Sequence, residues 1–163
     1  MTSFTFHPSP IGPLLLVGEP DGQGGVRLHR VLMEDQKHGV PVGADWQCPA
    51  PFAEVARQLD EYFAGERTTF DLALDPHGTD FQLAVWLQLR TIPSGQTTTY
   101  GAIAARIGRP GASRAVGAAI GRNPIAIVVP CHRVVGAGGA LTGFAGGLDR
   151  KKTLLALEGA PVQ

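Results

Sequence analysis

The chain is poor in cysteine. Cys48 and Cys131 are the only two among 163 residues, which excludes a disulfide scaffold, and in a reducing compartment a single pairing is not expected either. No basic segment followed by an apolar stretch opens the sequence, and no hydrophobic window is long enough to span a bilayer. A soluble, cytoplasmic protein without a membrane partner is therefore expected. There is no internal repeat, and the histidines His7, His29, His38 and His77 show no metal-ligand spacing, so no metal and no cofactor are expected. Acidic residues are scarce in one half only. Residues 85–163 hold nine Lys/Arg against Asp149 and Glu158 alone, whereas residues 1–84 hold five Lys/Arg against twelve Asp/Glu. Such polarity points the basic half at a polyanion; the plainer alternative is charge segregated between two domains for solubility.

Glycine and proline are abundant, at 22 and 13 residues, and they punctuate the chain. Ser3–His7, Pro13–Val17 and Val26–Met33 read as strands, followed by an irregular loop over Glu34–Ala50. Phe52, Val55, Ala56, Leu59, Tyr62 and Phe63 recur at helical spacing and give one apolar face, closed by Gly65. Asp75–Gly78 reads as a linker, which places a domain boundary between residues 76 and 77.

Beyond it, Thr79 or Asp80 caps a helix carrying Phe81, Val85 and Leu89, and Thr99 caps a short one through Ile103 and Ile107. After Gly108-Arg109-Pro110-Gly111, a helix over Ala112–Arg122 follows, and the pair has the form of a helix-turn-helix. Ala112, Ser113, Ala115, Gly117, Ala118 and Ala119 leave this helix almost bare, with Arg114 projecting alone. Small residues suit close backbone approach to the minor groove, and equally suit helix–helix packing. The last helix is expected from an Asp149 N-cap to Gly159, with Arg150, Lys151 and Lys152 in its first turn and Glu158 in its last. Both sets oppose the helix dipole. The cations are candidates for phosphate contacts, and Glu158 either orients a basic partner or is a surface residue without a role.

The chemistry concentrates in Pro130-Cys131-His132-Arg133-Val134, straight after the apolar run Ile125–Val129. That run reads as a buried strand ended by proline, with Cys131 at its exit. A thiol needs a base to act as a nucleophile, and His132 is the nearest. Extended neighbours point to opposite faces, so the pair needs a turn or a bridging water. Glu158 is the leading third member. A Cys-His pair is also a common structural feature, and Cys48, in Trp46-Gln47-Cys48-Pro49, reads as structural or incidental.

Val128-Val129-Pro130-Cys131-His132-Arg133-Val134-Val135 resembles the active-site signature of the O6-alkylguanine-DNA alkyltransferases. Gly78-Thr79-x-Phe81-Gln82-x-x-Val85-Trp86, Ile92-Pro93-x-Gly95-x-Thr97 and Thr99-Tyr100-Gly101-x-Ile103-Ala104 match the family upstream. Arg114-Ala115-Val116-Gly117, Asn123-Pro124, Gly146-Gly147-Leu148 and Leu154-Leu155-x-x-Glu158-Gly159 continue the match, so it covers about residues 77–159. The resemblance implies an α/β fold: a ribonuclease-H-like α/β N-terminal domain (1–76) and a mostly helical C-terminal helix-turn-helix domain (77–163). It implies Cys131 as the alkyl acceptor, His132 as a base acting through water, Glu158 orienting it, and Asn123 fixing the active-site turn. Tyr100 resembles the tyrosine that donates toward guanine N3. Arg114 resembles the finger that fills the gap of a flipped nucleotide, since a thiol cannot reach O6 inside an intact stack. Ala112, Ser113, Thr99 and Arg122 complete the expected DNA contacts, and Val134, Phe144 and Ala145 the expected pocket.

The implied partner is duplex DNA containing O6-alkylguanine, bound by a monomer through the minor groove without sequence preference. Three positions depart from the family: Phe144 stands where tyrosine is frequent, Ala145 where some members have serine, and Thr153 where tryptophan is common. Some members carry a structural zinc in the N-terminal domain, for which this chain offers only Cys48. Two rivals remain: a lesion-binding relative that transfers nothing, whose members replace the acceptor cysteine, and a cysteine hydrolase, which leaves the basic half unexplained.

Overall fold

The computed structural model describes residues 2–36 and 49–161. Cys48, His38 and most of the expected irregular loop lie outside the described residues. The N-terminal part is an antiparallel sheet, β1 (Ser3–His7), β2 (Leu14–Pro20) and β3 (Val26–Met33), in that spatial order. β2 therefore runs three residues past the expected Val17. Its register shifts between Val17 and Gly18, where a Cβ on residue 18 would lie 2.4 Å from the Arg27 carbonyl oxygen. Only glycine fits that bulge. Leu14, Leu16, Leu28 and Val31 face the main core, while Phe4, Leu15, Val17 and Leu32 form a smaller cluster, the two-sided alternation of a sheet. Helix α1 (Ala53–Phe63), entered through a 3₁₀ turn at Ala50–Phe52, buries Val55, Leu59 and Tyr62.

The free edge of β3 is used rather than left open. Leu28 N–H donates to Ala73 O and accepts, through its own carbonyl, the Asp75 N–H, at 2.9 and 2.8 Å. Further along, Val31 N–H donates to Pro124 O and Val31 O accepts from Ala126 N–H, at 2.9 and 3.1 Å. The sheet edge thus holds the segment that leads into Cys131.

The C-terminal part is helical: α2 (Asp80–Leu89), α3 (Tyr100–Arg106), α4 (Ser113–Gly121) and α5 (Leu148–Leu157), with a parallel bridge of β4 (Thr98–Thr99) to β5 (Val134–Val135). Thr79 caps α2 in a reciprocal box with Gln82, and Thr99 Oγ1 caps α3 by accepting from Ala102 N–H. The Trp86 indole donates to Ala119 O at 2.8 Å and ties α2 to α4.

Three expectations are corrected. Ile125–Val129 is no strand: only Ile125 bridges to Val31, and the chain turns with Ile127 at φ 71°. Asn123 outcompetes a ladder here, because its Oδ1 accepts from Ile125 N–H at 3.1 Å and its Nδ2 donates to Val129 O at 2.9 Å. Asp149 does not cap α5; Gly147, at φ 92°, occupies that position without a side-chain bond. The cations of the first turn of α5 are not a phosphate cluster, since Arg150 donates to Ile11 O, Glu34 O and Gly146 O and Lys151 is buried. Lys152 alone is exposed.

Candidate active site

Cys131 opens a 3₁₀ turn, Cys131–Arg133, and is 6% exposed. Cys131 and His132 thus stand on a turn and not on an extended segment, where neighbouring side chains point to opposite faces. Burial pushes the thiol above its ordinary value, while the Asn123 carboxamide and the Lys151 ammonium pull the other way. At neutral pH the resting sulfur is a protonated thiol.

His132 is fully buried, and its Nε2 lies 2.8 Å from Glu158 Oε2. Burial alone would raise the Glu158 carboxyl, but bonds from His132 and Arg133 outweigh it and hold the group down at about 2. An ionised carboxylate only accepts, so Nε2 carries the imidazole proton. Burial also holds His132 below its ordinary range despite the carboxylate, which keeps the ring neutral. Nδ1 is then the acceptor nitrogen, and among the described residues no protein group bonds it. Arg133 closes the cluster: Nε and Nη2 grip Glu158 at 2.8 and 2.9 Å, and Nη1 donates to Ile92 O at 2.6 Å. So paired, the buried carboxylate and guanidinium compensate each other's charge.

Lys151, 1% exposed, donates to Val134 O at 2.6 Å and to Thr142 O at 3.4 Å. Tyr100 Oη and Thr142 Oγ1 are 2.6 Å apart. Tyr100, Phe144 and Ala145 line a cavity of about 590 Å³ together with Gly117, Gly121 and Arg122, a volume within the roughly 300–1,000 Å³ of small-molecule sites. Val134 does not line it. Its side chain is in the core and its carbonyl serves Lys151, because β5 turns that side chain inward.

On the outer face of α4, Ser113, Arg114, Ala115 and Ala118 are exposed, Ala112 is half-buried and Arg122 follows the helix exposed to solvent. Thr99 is half-buried and its hydroxyl is engaged as the α3 cap. Among the described residues, Arg106, Arg114 and Arg122 have no ion-pair partner. The result is an uncompensated basic face with little side-chain relief.

The absence of metal-ligand spacing in the sequence is not an absence in space. Folding gathers donor atoms of His29, Asp75 and His77 within 4.8 Å of one another. His29 Nδ1 is 2.8 Å from the Asp75 carbonyl, and among the described residues these three could hold a cation. The sequence separation of 46 between His29 and Asp75 hides the grouping from any local pattern.

Sequence reasoning missed Tyr62, Arg133, Lys151 and Thr142. Lys151 had a signal: it stands three and four residues before Leu154 and Leu155, on the buried stripe of α5. Tyr62 read as core because its hydroxyl partner is 96 residues away.

A buried turn that carries a thiol, an imidazole and its carboxylate partner, together with a cavity lined by Tyr100 and a basic helical face, defines a DNA-directed cysteine transferase. Two family models match the chain: 6-O-methylguanine DNA methyltransferase, ribonuclease-like domain, over residues 3–76, and 6-O-methylguanine DNA methyltransferase, DNA binding domain, over residues 80–160. The chain belongs to the 6-O-methylguanine DNA methyltransferase family. It is 52% identical over 158 residues to the methylated-DNA–protein-cysteine methyltransferase of Methanosarcina acetivorans, covering 96% of this chain and 98% of that one. It is 56% identical over 151 residues to the protein so named from Mycolicibacterium paratuberculosis, covering 92% and 88%. Its fold matches the crystal structure of Mycobacterium tuberculosis OGT in complex with DNA with a TM-score of 0.85 and 51% identity, covering 98% of this chain and 95% of that one. The two-part organisation, sheet first and helices second, is that of the family.

Proposed function

We propose that this protein repairs O6-alkylated guanine in duplex DNA by moving the alkyl group to its own Cys131, once per molecule. The observation that carries this reading is a neutral His132, next in the chain to the buried Cys131, whose Nε2 is committed to Glu158, leaving Nδ1 as the acceptor nitrogen. The Cys131 proton passes to Nδ1 through a bridging water, and the thiolate attacks the alkyl carbon in line with its bond to O6. A C–S bond forms as the C–O6 bond breaks. Its electron pair returns to the guanine, which takes up one proton and leaves as the unmodified base. The thioether has no leaving group for a second round, so the protein is consumed.

In this reading Tyr100 donates toward the departing guanine and Phe144 and Ala145 bound its pocket, which the cavity that the three line together supports. The extruded base leaves a gap in the stack that Arg114 fills from α4, while Ser113, Ala112, Thr99 and Arg122 face the backbone. Reading α3 and α4 as a helix-turn-helix laid in the minor groove fits the bare outer face of α4, which offers few side chains for base readout. A ribonuclease-H-like domain over 1–76, a C-terminal domain over 77–163, a monomeric state and a cytoplasmic location belong to the same reading.

The test is mass spectrometry after mixing the protein with excess O6-methylguanine duplex. One added methyl on the Cys131 peptide, absent in Cys131→Ser, is expected. Tight lesion binding by an unmodified protein would overturn the transferase in favour of a lesion-binding module.

A further inference from the structure

Glu158 sits where an anion is least welcome. It follows the last turn of α5, where the unpaired carbonyls of the helix present negative potential, and its side chain is 1% exposed. Arg133 answers its charge, and His132 uses one of its oxygens. A third donor comes from the other part of the molecule: Tyr62 Oη, on α1, donates to Glu158 Oε2 at 2.5 Å. Oε2 therefore receives three donors at once, from His132 at 2.8 Å, Arg133 at 2.9 Å and Tyr62.

Tyr62 is built to stay there. It is 2% exposed, and its ring packs edge-on against Phe63 and tilted against Phe70, with centroids 5.2 and 5.4 Å away. Burial and the adjacent carboxylate push its phenol well above the ordinary range, so the hydroxyl remains a donor throughout the physiological range. One turn earlier on α1, Gln58 exchanges bonds with the backbone of Asp71 at 3.0 and 2.9 Å and fixes the helix against the strand-like segment that follows it.

We infer that Tyr62 is a positioning residue for the transfer reaction, acting through Glu158: the N-terminal sheet domain supplies the hydroxyl that sets the orientation and charge of the carboxylate holding His132. The inference rests on the transferase reading above. The charged groups that act on His132 are Glu158, Arg133 and Lys151, and Tyr62 bonds the first of them, Glu158. Removing the hydroxyl leaves more charge on Oε2, strengthens its hold on the Nε2 proton and favours the imidazolium, which cannot accept the thiol proton.

Tyr62→Phe keeps the ring and its packing and deletes only the donor. The experiment measures single-turnover transfer from O6-methylguanine duplex against pH, for the intact wild type and for Tyr62→Phe, with lesion-DNA affinity measured alongside. The acid limb of the variant is expected to move up by about one pH unit, so that transfer there is about ten-fold slower, with affinity within two-fold of wild type. An unchanged profile, or a rate lowered equally at every pH, would overturn the inference. Wild type that binds but transfers nothing would instead sink the transferase reading. In the folded wild type, NMR provides a check that needs no variant: a slowly exchanging Tyr62 hydroxyl proton with a cross-peak to the His132 Nε2 proton is expected, and its absence refutes the contact.

Discussion

Asn123→Ala should damage the protein well out of proportion to the size of the change. Asn123 is 4% exposed. Its Oδ1 accepts from Ile125 N–H at 3.1 Å and its Nδ2 donates to Val129 O at 2.9 Å. Nδ2 also reaches Ile125 O at 3.4 Å, an acceptor that keeps its bond from Val129 N–H, and the three losses are unequal. Val129 O also accepts from Cys131 N–H at 2.8 Å and keeps that bond, whereas Ile125 N–H has no other acceptor and becomes a buried orphan. An orphaned buried donor costs about 1–3 kcal/mol and each lost net bond about 1 kcal/mol. The same carboxamide spans a turn that holds Ile127, a β-branched residue, at φ 71°, and a position so strained stores about 1–3 kcal/mol that its surroundings must over-determine. A loss of about 3 kcal/mol follows, or a Tm lower by about 6–12 °C for a chain of this size, read by calorimetry. Transfer should fall further than stability, because the turn that relaxes carries Cys131. A Tm within 2 °C of wild type, with transfer intact, would refute the claim that Asn123 organises the turn.

Glu158→Gln should destabilise the fold by about 3 kcal/mol or more at pH 7, since it leaves Arg133 buried without its anion. The folded Glu158 carboxyl, at about 2, lies below its ordinary 4.5, so its stabilisation is complete above about 4.5 and fades as pH falls through about 2. The Tm gap between wild type and variant should therefore narrow over that window, and a constant gap would contradict the assignment. The comparison cancels Glu54, which is lowered to about 2 by its bonds to Arg57 and Gln58 in both proteins. Arg114→Ala should weaken duplex binding across all sequences and lower the slope of affinity against salt by about one; an unchanged slope in a fluorescence-anisotropy titration counts against a phosphate or groove contact. Lys151→Met should raise the Cys131 thiol further by removing the cation that lowers it. Its alkylation by a small electrophile should then need a higher pH, and no movement of that profile would show that Lys151 is only a packing residue.

How much of this was legible depended on how local the cause was. The α2 cap was readable because Thr79 and Gln82 stand three residues apart and both bonds are local. The bare face of α4 and the pairing of Cys131 with His132 were readable for the same reason. Ile125–Val129 misled because an apolar run records burial and not backbone conformation; the decisive residue, Asn123, lies just outside the run and acts through its side chain. Asp149 misled because an acidic residue before an apolar stretch is a common cap, yet Gly147 with a positive φ starts the helix two residues earlier. Contacts across the two parts of the chain left no trace. Nothing near Tyr62 announces Glu158, nothing near His29 announces His77, and Arg150 carries no mark of its acceptors at Ile11 and Glu34.

Those long-range contacts bear on why the thiol can be both buried and usable. A cysteine exposed at the surface and already ionised would react with any electrophile, and a protein that reacts once would be lost to the wrong one. Here burial holds Cys131 protonated and holds His132 neutral, so proton transfer between them must create two charges in a dry site. The means of tolerating those charges are already built. Lys151 stands by the sulfur, Glu158 stands behind the imidazole, and Arg133 and Tyr62 fix Glu158 so that it need not reorganise. The β3 edge holds the approach to the turn through Val31, which places the acidic N-terminal half in the reaction as the frame of its electrostatics. A thiol so buried ionises only where these fixed charges are in place, which restricts its reactivity to what the site can hold.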